Sequence, residues 1–173
     1  MRLARLTVER LLKGGPLPVS GTEIEADPAL WNLERACFVS IKKSNGDLRG
    51  CIGTILPVHP ALDQEIISNA VASSTRDPRF PSMSASELGG VTFSVDVLTL
   101  PEPVSSLDEL DPAVWGVIVS KGHQRGVLLP DLEGVDTVER QIGIAAQKAG
   151  IRNLDNISVE RFRVERYKES DVF

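Results

Sequence analysis

The chain has 173 residues, 42% of them hydrophobic and 25% charged, the proportions of a folded domain rather than of a disordered chain, a fibre or a disulfide scaffold. Its 19 basic and 24 acidic residues leave a net charge of −5, a poor start for gripping a phosphate backbone, so nucleic-acid binding is the weakest reading. Only Cys37 and Cys51 supply thiols, which fits a reducing compartment. No window reaches the roughly 20 apolar residues of a membrane span, and the start, MRLARLTVERLLKGG, lacks the unbroken apolar core of a signal peptide. A cytoplasmic domain without membrane contact is expected.

No repeat or low-complexity tract interrupts the chain. Apolar residues Ala4, Val8, Leu11 and Leu12 fall at helical spacing, so a helix is predicted over Arg2–Lys13, ended by Gly14-Gly15-Pro16. A loop follows from Pro16 to Thr22. Asp27-Pro28 resembles a cap with proline in the first helical position and predicts a short helix carrying Trp31. Ala36–Lys42 and Leu48–Ile55 read as strands joined at Ser44-Asn45-Gly46-Asp47, and Asn-Gly is the strongest short hairpin signal. Pro60 opens a helix to about Ser73, with Leu62, Ile66, Ala70 and Ser73 on one stripe. Two prolines forbid its continuation through Arg76-Asp77-Pro78-Arg79-Phe80-Pro81. Ser84 and Glu87 have the spacing of a capping box. Val91, Phe93, Val95 and Val97 alternate with polar residues as in a half-buried antiparallel strand. After a proline-marked connection, Val117–Ser120 and Arg125–Leu129 predict a second hairpin around Gly122. Asp136 and Glu139 repeat the capping-box spacing before a helix ending at Gly150. Glu160–Tyr167 is a last strand. These elements predict an α+β fold with a mainly antiparallel sheet and flanking helices.

The first hairpin carries the chemistry. A turn on Asn45-Gly46 sets Ile41 opposite Gly50, Ser40 opposite Cys51, Val39 opposite Ile52 and Cys37 opposite Thr54. Alternation then puts Cys37, Val39, Ile41, Gly50 and Ile52 on the core face, and Phe38, Ser40, Lys42, Arg49, Cys51, Gly53 and Ile55 on the other. A register slip by one residue would exchange the faces. Cys37 becomes a small buried hydrophobe. Cys51 lies near positive side chains, which favour thiolate, while Gly50 and Gly53 suggest a bulge or the close approach of another group. Two readings stand: a reactive or ligand-contacting thiol, or a structural thiol on a glycine-bulged strand, the commoner fate of free cysteine.

The heptad Leu48-Arg49-Gly50-Cys51-Ile52-Gly53-Thr54 is similar to the hallmark of the AMMECR-type domain family, the LRGCIG motif. The resemblance extends in register from about Trp31 to Tyr167, through FVSIKKSNGD, RDPRFPSMSASEL, TFSVDVLTLPEPV and GVIVSKGHQRGVLLPDLEGVDTVERQI. It points to the bacterial branch known as AmmeMemoRadiSam system protein A. Cys37 departs from the small residue or other side chain common there. The resemblance implies one two-lobed domain over residues 1–173, a larger lobe built from both chain ends and a smaller one from the centre. It also implies a Memo-like protein, related to extradiol dioxygenases, and a radical SAM enzyme as partners. The branch also occurs fused to the Memo-like domain, so the helical start suits a standalone protein or a domain excised from a fusion. It implies a context and not a reaction, and no cofactor.

The loop Arg76-Asp77-Pro78-Arg79-Phe80 holds two arginines and a carboxylate. Arginine forks suit carboxylate or phosphate ligands. The competing account is structural, with Asp77 fixing one arginine and Phe80 plugging the core. The family fold implies that this loop lies near the hallmark strand, so the expected site joins Cys51, as the tentative catalytic residue, to Arg49, Gly50, Gly53, Arg76, Asp77 and Arg79 as ligand contacts. Lys121, His123 and Arg125 read first as a solvated hairpin tip and second as a phosphate or partner contact. His59 is a turn residue by default. The histidines and cysteines lack metal-ligand spacing, and no phosphate-binding glycine loop or serine-nucleophile elbow is present. Two functions compete. One is a binding or accessory module offering a Cys/Arg pocket to a small anionic ligand or protein partner. The other is a thiol enzyme with Cys51 as nucleophile, Arg49 as helper and Asp77 or His59 as base, which would need that base within hydrogen-bond reach.

Overall fold

The computed structural model describes residues 1–19, 24 and 28–169. Helix α1 spans Arg2–Leu12 and a short α2 spans Pro28–Trp31; the Asp27 cap lies outside the described residues. The buried stripe of α1 is Leu3, Ala4, Thr7 and Val8, with Leu11 and Leu12 only half-buried. Strands β1 (Cys37–Lys43) and β2 (Leu48–Gly53) form the predicted hairpin, with Gly46 at φ 90° in its turn. Helix α3 covers Leu62–Thr75, and a short 3-10 helix, Ala85–Gly90, begins on the Ser84/Glu87 capping box. Strand β3 is Val91–Leu98, and the proline-marked connection contains a two-residue strand, β4, at Glu102–Pro103. A 3-10 turn at Leu107–Glu109 precedes the second hairpin, β5 (Gly116–Lys121) and β6 (Gln124–Leu128). Helix α4, Val138–Lys148, is capped by Thr137, whose side chain accepts from the Arg140 amide; the predicted cap, Asp136, is one residue too early. The last predicted strand is in fact two, β7 (Ser158–Phe162) and β8 (Val164–Lys168), which belong to different sheets.

The described strands make two four-stranded sheets, β2-β1-β3-β8 and β4-β7-β5-β6. Chain contacts divide into two compact units, Met1–Val97 with Glu165–Phe173, and Leu98–Val164. In the first unit, the alternating residues Cys37, Val39 and Ile41 of β1 are fully buried and meet Val8, Ile66, Ala70, Phe93 and Val95. Each such aliphatic side chain removed from water contributes about 1.5–3 kcal/mol. Glu169 accepts from Arg5 and, at 2.8 Å, from the Phe93 amide, which ties the residue after β8 to α1 and β3. The second unit has its own core of Val117, Val119, Leu128, Ile142, Ala145 and Ala146. The α+β class with antiparallel sheets is as expected.

Candidate functional site

Strand β2 is the edge of its sheet, so its outward peptide groups need partners or water. The register is the predicted one from Phe38↔Gly53 to Ile41↔Gly50, with Ser40 opposite Cys51. It then shifts, pairing Lys42 with Leu48, so Arg49 occupies a bulge. The loop after α3 covers the open edge at Cys51. Asp77 Oδ2 accepts the Cys51 amide at 2.8 Å, and Arg79 Nη2 donates to the Cys51 carbonyl at 3.1 Å. One carboxylate and one guanidinium thus stand in for a neighbouring strand.

The two side chains lock each other. Asp77 Oδ1 accepts from Arg79 Nε at 2.9 Å and from its amide at 3.1 Å, while Oδ2 accepts from Nη2 at 2.7 Å. The Arg79 pairing, helped by the Cys51 amide and opposed by burial, holds the Asp77 carboxyl well below the usual carboxylate range. The Asp77 side chain is 2% exposed and that of Arg79 54%. Nη2 and Nε are therefore committed, and the two Nη1 hydrogens remain without a protein acceptor among the described residues. Two guanidinium groups approach the Phe80 ring, that of Arg79 at 5.6 Å and that of Arg49 at 5.9 Å from its centroid.

Cys51 itself is half-buried, and its Sγ accepts from the Ser40 hydroxyl at 3.2 Å. Among the described residues, no carboxylate or imidazole is hydrogen-bonded to that sulfur. Cys37 points the other way into the core, where Asn69 Nδ2 reaches its carbonyl at 3.0 Å and its sulfur at 3.5 Å. Burial pushes the Cys37 thiol up to about 12.

The structure brings Cys51, Asp77 and Arg79 together, with Gly50 and Gly53 beside Cys51 on β2, and places the side chains of Arg49 and Arg76 apart from them. Arg49 turns away from Cys51: its side chain is 6% exposed and binds Glu87 at 2.6 and 3.1 Å and the Pro81 carbonyl at 3.1 Å. That pairing lowers the Glu87 carboxyl to about 2. Arg76 is exposed, with no side-chain hydrogen bond or ion pair among the described residues. Gly50 and Gly53 mark close approaches. A Cβ at Gly50 would sit 2.1 Å from the Ser73 carbonyl oxygen, and one at Gly53 would sit 2.4 Å from the Phe38 ring and 2.5 Å from the Cys37 carbonyl.

Sequence reasoning passed over the face of α3 that makes this approach specific. Glu65, Asn69 and Ser73 follow at four-residue spacing, and all three are buried. The Ser73 hydroxyl accepts the Ile52 amide and donates to the Val39 carbonyl, each at 2.8 Å, so it sits inside the β1–β2 ladder. Glu65 accepts from the Thr54 hydroxyl and from the Val58 and His59 amides, at 3.1 and 2.9 Å. His59 is accordingly a half-buried turn residue. At the second hairpin tip, Lys121 binds the Asn153 carbonyl at 2.9 Å and Arg125 pairs with Glu160 at 2.7 Å, leaving His123 exposed. Among the described residues, no three His, Cys, Asp or Glu side chains converge as a metal site, and no helix is long and apolar enough to cross a membrane.

An α+β chain of two antiparallel-sheet units, with a glycine-bearing edge strand clamped by an Asp/Arg loop, defines the class. The chain belongs to the AMMECR1 family, whose model matches residues 1–172. A Thermotoga maritima protein is 52% identical over 86% of this chain and 88% of its own length. A Clostridium acetobutylicum protein is 51% identical over 80% of this chain, which spans only 29% of that longer relative. The crystal structure of protein PH0010 from Pyrococcus horikoshii superposes with a TM-score of 0.85 at 30% identity, covering 97% of this chain and 88% of the other.

Proposed function

We propose that the protein is a cytoplasmic binding or accessory module that offers the edge of β2 to a small anionic ligand or an acidic group of a protein partner. The observation that carries this reading is Arg79. Its guanidinium is pinned by a buried carboxylate while the side chain as a whole is 54% exposed, so a ligand finds a charge already oriented and little side-chain entropy is lost on binding. Among the described residues Nη1 is the donor that remains, Cys51 is the residue whose carbonyl Arg79 holds, and Arg76 is a further cation without an ion pair on the same loop. The partners implied by the family resemblance, a Memo-like protein and a radical SAM enzyme, are the first to test, in the setting of an AmmeMemoRadiSam system protein A. In this account Arg49 and the two glycines support the strand and do not touch the ligand.

A nucleophilic Cys51 is the second reading, and the Ser40 hydroxyl at 3.2 Å is the contact in its favour. Asp77 is a poor base for it: the Arg79 pairing makes its carboxylate weakly basic, and both its oxygens are taken by Arg79 and the Cys51 amide.

Thermal-shift and calorimetric titration with phosphate, sulfate and small dicarboxylates, together with pull-down of both partners, tests the binding reading. Arg79→Gln is expected to weaken binding roughly tenfold or more, the loss of one charge-assisted hydrogen bond. Binding that is untouched by Arg79→Gln and Arg76→Gln together removes the proposal. So does a native-like protein that captures none of these anions and neither partner.

A further inference from the structure

The unit Leu98–Val164 contains a cavity of about 510 Å³ that the reading above does not use, a volume in the range of small-molecule sites. Its floor is aliphatic. Ile142 is 3% exposed, and Val104, Ile157 and Val159 pack half-buried against the core of this unit. Leu107 and Leu154 complete the walls, yet are 47% and 46% exposed. Isolated exposed leucines are ordinary; two on the rim of one cavity continue its apolar floor outward.

The polar side chains are few, and one of them is charged. Ser105, Ser106 and Ser158 contribute hydroxyls, and that of Ser106 is engaged by Asp108. The single charged residue in the lining is Glu139, in the first turn of α4. It is exposed and has no side-chain hydrogen bond or ion pair among the described residues. No lysine, arginine, histidine or aromatic ring lines the cavity. A flat aromatic ligand would find nothing to stack on, and an anion would meet a carboxylate and no cationic side chain.

We propose that this cavity binds a small aliphatic molecule bearing an ammonium group, with its hydrocarbon body on Val104, Ile142, Ile157 and Val159 and its charged head on the Glu139 carboxylate. The site is independent of the β2 edge. The body supplies affinity through burial, and the open ion pair supplies discrimination by charge.

The test is a titration of the full chain with n-hexylammonium, 1-hexanol and hexanoate, followed by methyl chemical shifts and by calorimetry. Hexylammonium should perturb the Val104, Ile142, Ile157 and Val159 methyls and bind more tightly than hexanol, with hexanoate weakest. Glu139→Gln should abolish the preference for ammonium over alcohol, a factor of about three to five for an ion pair open to water, while the hexanol affinity and the melting temperature stay as in the parent. Three results overturn the proposal: no perturbation of those methyls, perturbations scattered over both units, or equal affinity for hexanoate and hexylammonium in the parent protein.

Discussion

A thiol is nucleophilic only as thiolate, so the surroundings of a sulfur decide what it can do. Cys37 is fully buried and its thiol is pushed up to about 12 from the ordinary 9.0. Between those values the unfolded chain gives up a proton that the folded chain keeps. The resulting stability is complete below 9.0 and is lost as pH rises toward 12. Denaturant titrations across that range should show a shallower alkaline fall for Cys37→Ala than for the parent, even though the variant starts from lower stability. Cys51 is only half-buried, so a maleimide or iodoacetamide time course should label it in the native protein, with Cys37 labelled no faster than the chain unfolds. Equal rates for the two sulfurs would contradict this placement. At Gly50 an added Cβ would sit 2.1 Å from the Ser73 carbonyl oxygen, a backbone collision that no rotamer relieves. Gly50→Ala should cost at least the 1–3 kcal/mol typical of overpacking, read as a lowered denaturation midpoint.

At the scale of elements, the hallmark strand is held from two sides, by the Asp77–Arg79 clamp at its edge and by the polar stripe of α3 beneath it. Removing the clamp with Asp77→Asn should speed hydrogen exchange at the Cys51 amide, which donates to Asp77, far more than at Ile52, which donates to Ser73. Arg49 acts on the other side of the bulge. Its charge is buried while Glu87 is 35% exposed, so Glu87→Gln leaves a buried cation weakly paired and should cost about 1–3 kcal/mol. The parent owes part of its stability to a Glu87 carboxyl lowered to about 2 from 4.5; that part is complete above 4.5 and fades as pH falls toward 2. Acid titration of Glu87→Gln should therefore lack this portion of the fall. The hairpin register could be read from the sequence because Asn45-Gly46 and strict alternation are local signals. Gly50 and Gly53 hint at a bulge, but its place at Arg49 could not be read, because the Arg49 partners, Glu87 and Pro81, lie far along the chain. Glu65 and Asn69 resemble an ordinary solvated helix face until the backbone they serve is known, and Ser73, on the predicted core stripe, carries no sign of the strand it reaches. Asp136 and Thr137 are adjacent side chains that can each accept an amide, and spacing alone chose the wrong one. The site shared this division. The structural account of Asp77, as the residue that fixes an arginine, was available from its place between Arg76 and Arg79, but not the strand edge it serves.

For the whole molecule, the chain leaves the first unit after Val97 and returns to it at Glu165. This is why one predicted strand proved to be two: the alternation of Glu160–Tyr167 continues across Arg163, but β7 pairs with β4 and β5 while β8 lies beside β3. Periodicity reports which residues face a core and carries no label saying which core. Each unit buries its own apolar cluster, Val39, Ile41, Phe93 and Val95 in one, and Val117, Val119, Ile142 and Ala145 in the other. Because those clusters share no side chains, a cavity made in one leaves the packing of the other intact. Ile142→Ala should cost about 2–5 kcal/mol locally, and native-state hydrogen exchange should show where. Amides of Val117 and Val119 are expected to lose protection by that amount, while those of Val39, Ile41 and Val95 keep more of theirs as long as the first unit stays closed when the second opens. Equal loss at both sets would mean that the two cores open in a single cooperative step, and the division into units would then describe contacts and not stability.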